Sequence, residues 1–244
     1  MAAKEKRWSL REEVCGNSDS REKVVNKVPL YMQTYSWDCG LACASMVLQY
    51  LGKSSKKVYT SDLEELKCGE SIWTIDLALL MKLHNIRHLL CTITFGVDQG
   101  YSKQAFYSNF VTDEERVSNL FQNAESMGIN VQKRSVHCDE IVSHLGDGNL
   151  AIILVDWAQL ECLWCDKRHC KSCCFSCLSS SCCRGYQGHF IVACGFDSKK
   201  KKIFYMNPSY DEEMCCCRMS QFDAARKSYG TDEDILFIYK DGVP

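Results

Sequence analysis

The 244-residue sequence has only three prolines, no long apolar run and almost no net charge. Its 29 Lys and Arg residues nearly balance 31 Asp and Glu residues, so no nucleic-acid partner is expected. No apolar run approaches the roughly 20 residues of a transmembrane segment, and the opening MAAKEKRW does not resemble a secretory signal. We therefore expect a cytoplasmic protein, with access to the nucleus left open. The sequence does not define its oligomeric state.

Cysteine is abundant instead, with 18 residues. In a reducing compartment these thiols are not expected to form a disulfide framework. They must then serve in packing, metal binding, lipid attachment or catalysis.

The pattern of apolar residues predicts one α+β domain over 28–244, after a flexible polar tail over 1–27. A Cys-rich insertion over 157–187 interrupts the domain, and it is long for a structureless loop. Helices dominate the first half and an antiparallel sheet the second. The predicted helices cover 41–51, 74–83 and 113–127, and the predicted strands cover 28–32, 87–95, 129–136, 150–155, 189–196, 203–206 and 234–239.

Cys39 stands where the first buried helix begins. The helix dipole and free backbone N–H groups at such a position favour the thiolate, which is the nucleophilic form. Gln33 lies on the preceding loop, so its side-chain amide can donate to an oxyanion formed when Cys39 attacks a carbonyl group. The backbone N–H of Cys39 would be the second donor. Cys43, one helical turn later, is assigned to packing.

A general base is expected at His189, which starts a predicted strand. Asn207 ends the next strand, so antiparallel pairing would place the two side chains next to each other. The Asn carboxamide can then fix the imidazole ring while the other ring nitrogen faces the thiol.

The segment QTYSWDCGLACASMVLQYLG resembles the active-site helix of papain-like cysteine peptidases, and most closely that of the bacteriocin-processing type. GHFIVACGFD and MNPSY resemble the histidine segment and the final Asx-Pro of that group. The resemblance implies a papain-like fold, with a helical lobe carrying Cys39 and a sheet lobe carrying His189 and Asn207. It also implies Gln33 in the oxyanion hole. Asn207 is a departure, because bacteriocin-processing members usually have Asp there.

From end to end the chain also resembles the eukaryotic guanylyl cyclase domain-containing protein 1 family. Two kinds of enzyme are thus implied. The first is a cysteine hydrolase that cleaves or transfers an amide, isopeptide or thioester bond of a peptide or protein, without a catalytic cofactor. The second is a nucleotide cyclase, although the sequence has no Walker-type glycine loop. A non-catalytic interaction module is the third hypothesis.

The insertion holds eight cysteines between residues 162 and 183, in the Cys-x2-Cys spacing that suits zinc. The favoured site for a structural zinc ion consists of Cys162, Cys165, Cys170 and Cys173. A second, less favoured site consists of Cys174, Cys177, Cys182 and Cys183.

Two alternatives to zinc stay open for these thiols. Acylation of the cysteines would give peripheral contact with a membrane, or the thiols would be free. The triplet Cys215–Cys217 alternates between two faces if it lies on a strand, and part of it would then face the insertion.

Overall fold

The computed structural model describes residues 22–53, 61–97, 110–165, 186–211 and 214–240. These residues form one eight-stranded sheet with helices on both faces. The helices are α1 (Cys39–Tyr50), α2 (Ser61–Leu66), α3 (Thr74–Leu83), α4 (Phe110–Asn123), α5 (Cys138–Gly146) and α6 (Met219–Arg226). The strands are β1 (Lys23–Val25), β2 (His88–Thr92), β3 (Val131–Lys133), β4 (Leu150–Asp156), β5 (Gly188–Asp197), β6 (Lys202–Met206), β7 (Cys215–Arg218) and β8 (Ile235–Ile238).

The predicted α+β class is confirmed. The strands follow the order β3-β2-β8-β4-β5-β6-β7, and β1 pairs separately with β5. Every pairing is antiparallel except that of β2 with β3, which is parallel. None of the described helices has the length and apolar character needed to cross a bilayer.

Each strand sends alternate side chains to opposite faces of the sheet, which creates two buried layers. In β5, Phe190 and Val192 join the layer formed with α1 and α3. Ile191 and Ala193 join the layer formed with α5 and α6. Both faces of β5 are therefore covered, which explains its continuous apolar run.

The N-terminal strand differs from the sequence-based expectation. The flexible tail was predicted to extend to residue 27, and an edge strand was expected over 28–32. The structure places a strand at Lys23–Val25, paired with the end of β5, and none over 28–32. Two physical causes explain the difference between the predicted and observed strands. Val24 is buried against the sheet, and Pro29 has no N–H to donate to a strand ladder. Residues 1–21 lie outside the described part of the chain.

Gly195 allows β1 to approach β5 closely. A β-carbon at this position would overlap the carbonyl oxygen of Val24. The pairing of β5 with β6 also shifts register between Ala193 and Gly195. The missing side chain is therefore a requirement of the β1 contact.

We expect Gly195→Ala to displace β1 and to lower the free energy of unfolding by about 1–3 kcal/mol, because the added methyl group overpacks the contact. Hydrogen exchange of the β1 amides and urea denaturation measure the two effects. Gly146→Ala is the control, because its added β-carbon would lie 3.8 Å from the Phe196 ring, an ordinary contact. Equal protection of β1 in both variants would contradict this account.

Candidate active site

Cys39 is the first residue of α1, and only 8% of its surface is exposed. The residue before it, Asp38, does not cap the helix with its side chain. Its carboxylate instead accepts hydrogen bonds from the backbone N–H groups of Thr34 and Tyr35, both at 3.0 Å. Asp38 therefore folds the preceding loop back toward the start of the helix.

The first turn of α1 packs tightly on β5. A β-carbon at Gly40 would lie 3.1 Å from the Phe190 ring and 3.2 Å from Ile72. The backbone N–H of Phe190 also hydrogen-bonds the Cys39 thiol. Phe190 directly follows His189 in β5, so the Cys39 thiol contacts the strand backbone one residue after the predicted base.

Burial raises the pKa of the Cys39 thiol to about 11, and the hydrogen bonds from Phe190 and Gly40 only partly oppose it. The structure thus differs from the expectation of a thiolate, because the loss of solvation outweighs the favourable position at the helix N-terminus. Cys39 is a protonated thiol at neutral pH in this conformation.

His189 and Asn207 are both buried, and they lie side by side at the ends of neighbouring strands. The imidazole Nε2 is 3.0 Å from the Asn207 Oδ1. The backbone N–H of Ser209 also donates to that oxygen, at 2.9 Å. A backbone N–H can only donate, so the acceptor must be the amide oxygen, and Nε2 must carry the proton that it donates. In the neutral ring, Nδ1 is then the basic nitrogen.

Gln33 connects the loop that precedes Cys39 to the turn that follows β6. Its backbone N–H donates to Pro208 O at 2.9 Å, and its Oε1 accepts from Ser209 Oγ at 2.6 Å. Its Nε2 donates to Tyr35 O at 2.7 Å, which uses one of the two amide hydrogens. The structure therefore places Gln33 in the same hydrogen-bond network as Asn207.

Trp157 covers His189 and was not among the site residues predicted from the sequence. Its ring stacks on the imidazole with centroids 4.4 Å apart and planes 17° apart. Tyr210 contacts Trp157 edge-on, at 5.9 Å. The sequence could have indicated this contact only through the pairing of the strands. Trp157 follows directly after β4, and Val155 of β4 is opposite His189.

Asp156 holds the two ends of the insertion together. Its Oδ1 accepts from the backbone N–H groups of Gln187, at 3.2 Å, and Ala158, at 3.1 Å. Its Oδ2 accepts from Gln159 and Ser228. These bonds fix the backbone on either side of Trp157, and so they position the ring over His189.

A group of thiols lies away from Cys39. The sulfur atoms of Cys162, Cys165 and Cys215 are all within 4.8 Å of one another, an arrangement that could hold a metal ion. Hydrogen bonds from the Cys165 and Cys215 thiols lower the pKa of Cys162. The partner Cys215 comes from β7 and was not in the predicted ligand set. The other predicted ligands lie outside the described residues: Cys170, Cys173, Cys174, Cys177, Cys182 and Cys183.

Comparison with known proteins agrees with the family expected from the sequence. The model of the guanylylate cyclase family matches residues 28–238, and this chain belongs to that family. Guanylyl cyclase 1 of Arabidopsis thaliana is 38% identical over 213 residues, which cover 86% of this chain and 75% of the plant protein. A crystal structure assigned as a C39-like peptidase of Bacillus anthracis matches with a TM-score of 0.46 and 15% identity, over 90% of this chain and 98% of that one.

The raised pKa of Cys39 predicts its alkylation by iodoacetamide. The thiolate is the reactive form, so we expect slow labelling at pH 7 and a rise of about tenfold per pH unit toward pH 11. Peptide mass spectrometry follows the rate at Cys39, and an unstructured cysteine peptide serves as the reference, whose rate levels off near its ordinary pKa of about 8.5. A Cys39 rate that levels off below pH 8 would show that the thiolate is already formed.

Proposed function

We propose that this chain is a papain-like cysteine hydrolase or acyltransferase that acts on an amide, isopeptide or thioester bond. The observation that carries the proposal is the fixed tautomer of His189. Asn207 and Ser209 together leave Nδ1 of His189 as the basic nitrogen. His189 directly precedes Phe190, whose backbone N–H hydrogen-bonds the Cys39 sulfur. A nucleophile, a base and an orienting amide are the elements of acyl transfer by a thiol.

In the proposed reaction, the Cys39 sulfur forms a bond to the substrate carbonyl carbon while its proton passes to Nδ1 of His189. The second hydrogen of the Gln33 Nε2 and the Cys39 backbone N–H stabilise the oxyanion. His189 then returns the proton to the leaving amine or thiol, and a Cys39 thioester forms. Water or another acceptor releases the acyl group, and its proton restores the thiol by way of His189.

The high pKa of Cys39 defines the role of the base. Because the resting thiol is protonated, proton transfer to His189 has to accompany the attack. Asn207 supports that step by keeping the ring in the accepting tautomer, and Trp157 shields the hydrogen bond between His189 and Asn207 from water.

A peptide or protein is the proposed substrate. Tyr35 and Trp37, on the loop before Cys39, stack with ring centroids 5.5 Å apart and planes within 1°. Tyr35 is 56% exposed to solvent. Such a flat, rigid aromatic surface beside a nucleophile suits contact with an extended chain.

The proposed chemistry is tested with peptide vinyl sulfones and with pools of fluorogenic peptide amides and thioesters. We expect a covalent adduct at Cys39, and turnover reduced by at least about 10³-fold in Cys39→Ala and His189→Ala. Asn207→Ala should lose about 10–100-fold because the tautomer is no longer fixed, whereas Asn207→Asp should keep most activity.

Cys43→Ala is the matched control, because this thiol is buried one turn further along α1 and has no role in the mechanism. Turnover that survives Cys39→Ala, or adducts that form on other thiols alone, would contradict the proposal. If no substrate class is turned over, the third hypothesis, a non-catalytic interaction module, is favoured. The burial of Cys39 agrees with that hypothesis.

The family membership favours a nucleotide cyclase as a second candidate function. Cyclisation of GTP needs hard oxygen ligands for its divalent metal. Among the described residues, the one group of three or more candidate ligands consists of thiols, which suit softer metals. The cyclase hypothesis predicts Mg²⁺- or Mn²⁺-dependent conversion of GTP that persists in Cys39→Ala, measured by chromatography of the nucleotides. Absence of conversion by the unmodified chain would reject it.

Zinc has no step in either proposed reaction. We propose for it a structural role only, at the cysteines of the insertion and its surroundings.

A further inference from the structure

The thiols of Cys162, Cys165 and Cys215 meet at the outer edge of the sheet, where β7 is the last strand. Cys215 is fully buried, and Cys162 and Cys165 are half-buried. The segment that carries the latter two pairs with β7, because Leu163 N–H donates to Cys216 O at 2.7 Å. Two chain segments about 50 residues apart in sequence therefore meet at this group.

The sulfur spacing fits a shared metal ion better than a disulfide. The Cys165 and Cys215 sulfurs are 3.4 Å apart, well beyond the S–S bond length of about 2.05 Å. Two thiolates on one tetrahedral zinc ion, each at about 2.3 Å, lie roughly 3.8 Å apart. The observed separation needs a small adjustment to reach that value.

The backbone around Cys162 is arranged as a thiolate ligand requires. Its sulfur accepts from the backbone N–H groups of Trp164 at 3.4 Å, Cys165 at 3.3 Å and Cys216 at 3.5 Å. The first two bonds come from the turn of the Cys-x2-Cys unit itself, and the third comes from β7. Such donors orient a metal ligand and offset its negative charge.

We propose that Cys162, Cys165 and Cys215 bind a structural zinc ion that fastens the segment after β4 to the edge strand β7. The three sulfur atoms supply three tetrahedral positions, and a ligand outside this group takes the fourth. This set keeps Cys162 and Cys165 of the predicted site and adds Cys215 from the sheet.

The zinc ion would also stabilise the positions of two aromatic residues near the candidate active site. Trp157 lies five residues before Cys162, and Tyr210 lies five residues before Cys215. Their rings contact each other, and the Trp157 ring stacks on His189. Fastening Cys162 to Cys215 thus limits how far these two aromatic residues can separate. The zinc site itself does not depend on the proposed hydrolase activity.

The test is metal analysis of the full chain purified under reducing conditions without chelator. We expect bound zinc, and after exchange with Co²⁺ the intense charge-transfer absorption of cobalt thiolates. Cys162→Ala, Cys165→Ala and Cys215→Ala should each lose about one metal ion per chain. Cys217→Ala is the matched control, because that thiol is equally buried on the same face of β7 and lies outside the group. Unchanged metal content in all three variants would overturn the proposal.

A second measurement uses only the unmodified chain, so misfolding of a variant cannot obscure the result. Cys162 and Cys165 should resist alkylation until a chelator is added, whereas Cys138, also partly exposed, should label equally with and without it. Peptide mass spectrometry reads each site. Labelling of Cys162 and Cys165 that ignores the chelator, or a Cys165–Cys215 disulfide in the reduced preparation, would reject the zinc site.

Discussion

Strand β5 pairs with β4, β6 and β1, and the fold and the candidate site both depend on this pairing. Nine of its ten residues are buried, so it has to be covered on both faces, by α1 on one side and α5 on the other. The same ladder aligns the start of β5 with the end of β4 and the end of β6. His189, Trp157 and Asn207 consequently come together at one end of these three interior strands.

The candidate site is organised by backbone donors. Ser209 N–H orients the Asn207 amide, which in turn defines the tautomer of His189. Phe190 N–H reaches the Cys39 thiol. The close packing of α1 on β5 that permits this contact also removes the thiol from water, and its pKa rises because an ionised sulfur would lose its solvation. The packing that positions Cys39 therefore also disfavours its ionisation.

The cysteines have divided roles in this structure. Cys43 and Cys194 are fully buried among apolar residues and act as small core side chains. Cys162, Cys165 and Cys215 instead form a group at the sheet edge. The loop carrying the first two also covers β7, whose exposed backbone would otherwise be open to pairing with another chain. Edge protection and the gathering of thiols are thus achieved by one segment.

Elements whose burial follows a local period were predictable from the sequence. These were α3 over its observed range and the strands β4, β5 and β6 within a residue or two. The order of Cys39, His189 and Asn207 along the chain was also available. The sequence did not predict β1, the stacking of Trp157 or the raised pKa of Cys39. It indicated that part of the 215–217 triplet would face the insertion, but it did not place Cys215 in the same group as Cys162 and Cys165. Each of these depends on contacts between distant segments. Helix and strand periodicity depends on residues that are neighbours in the sequence. Strand order, desolvation and ligand geometry arise only when the sheet has assembled.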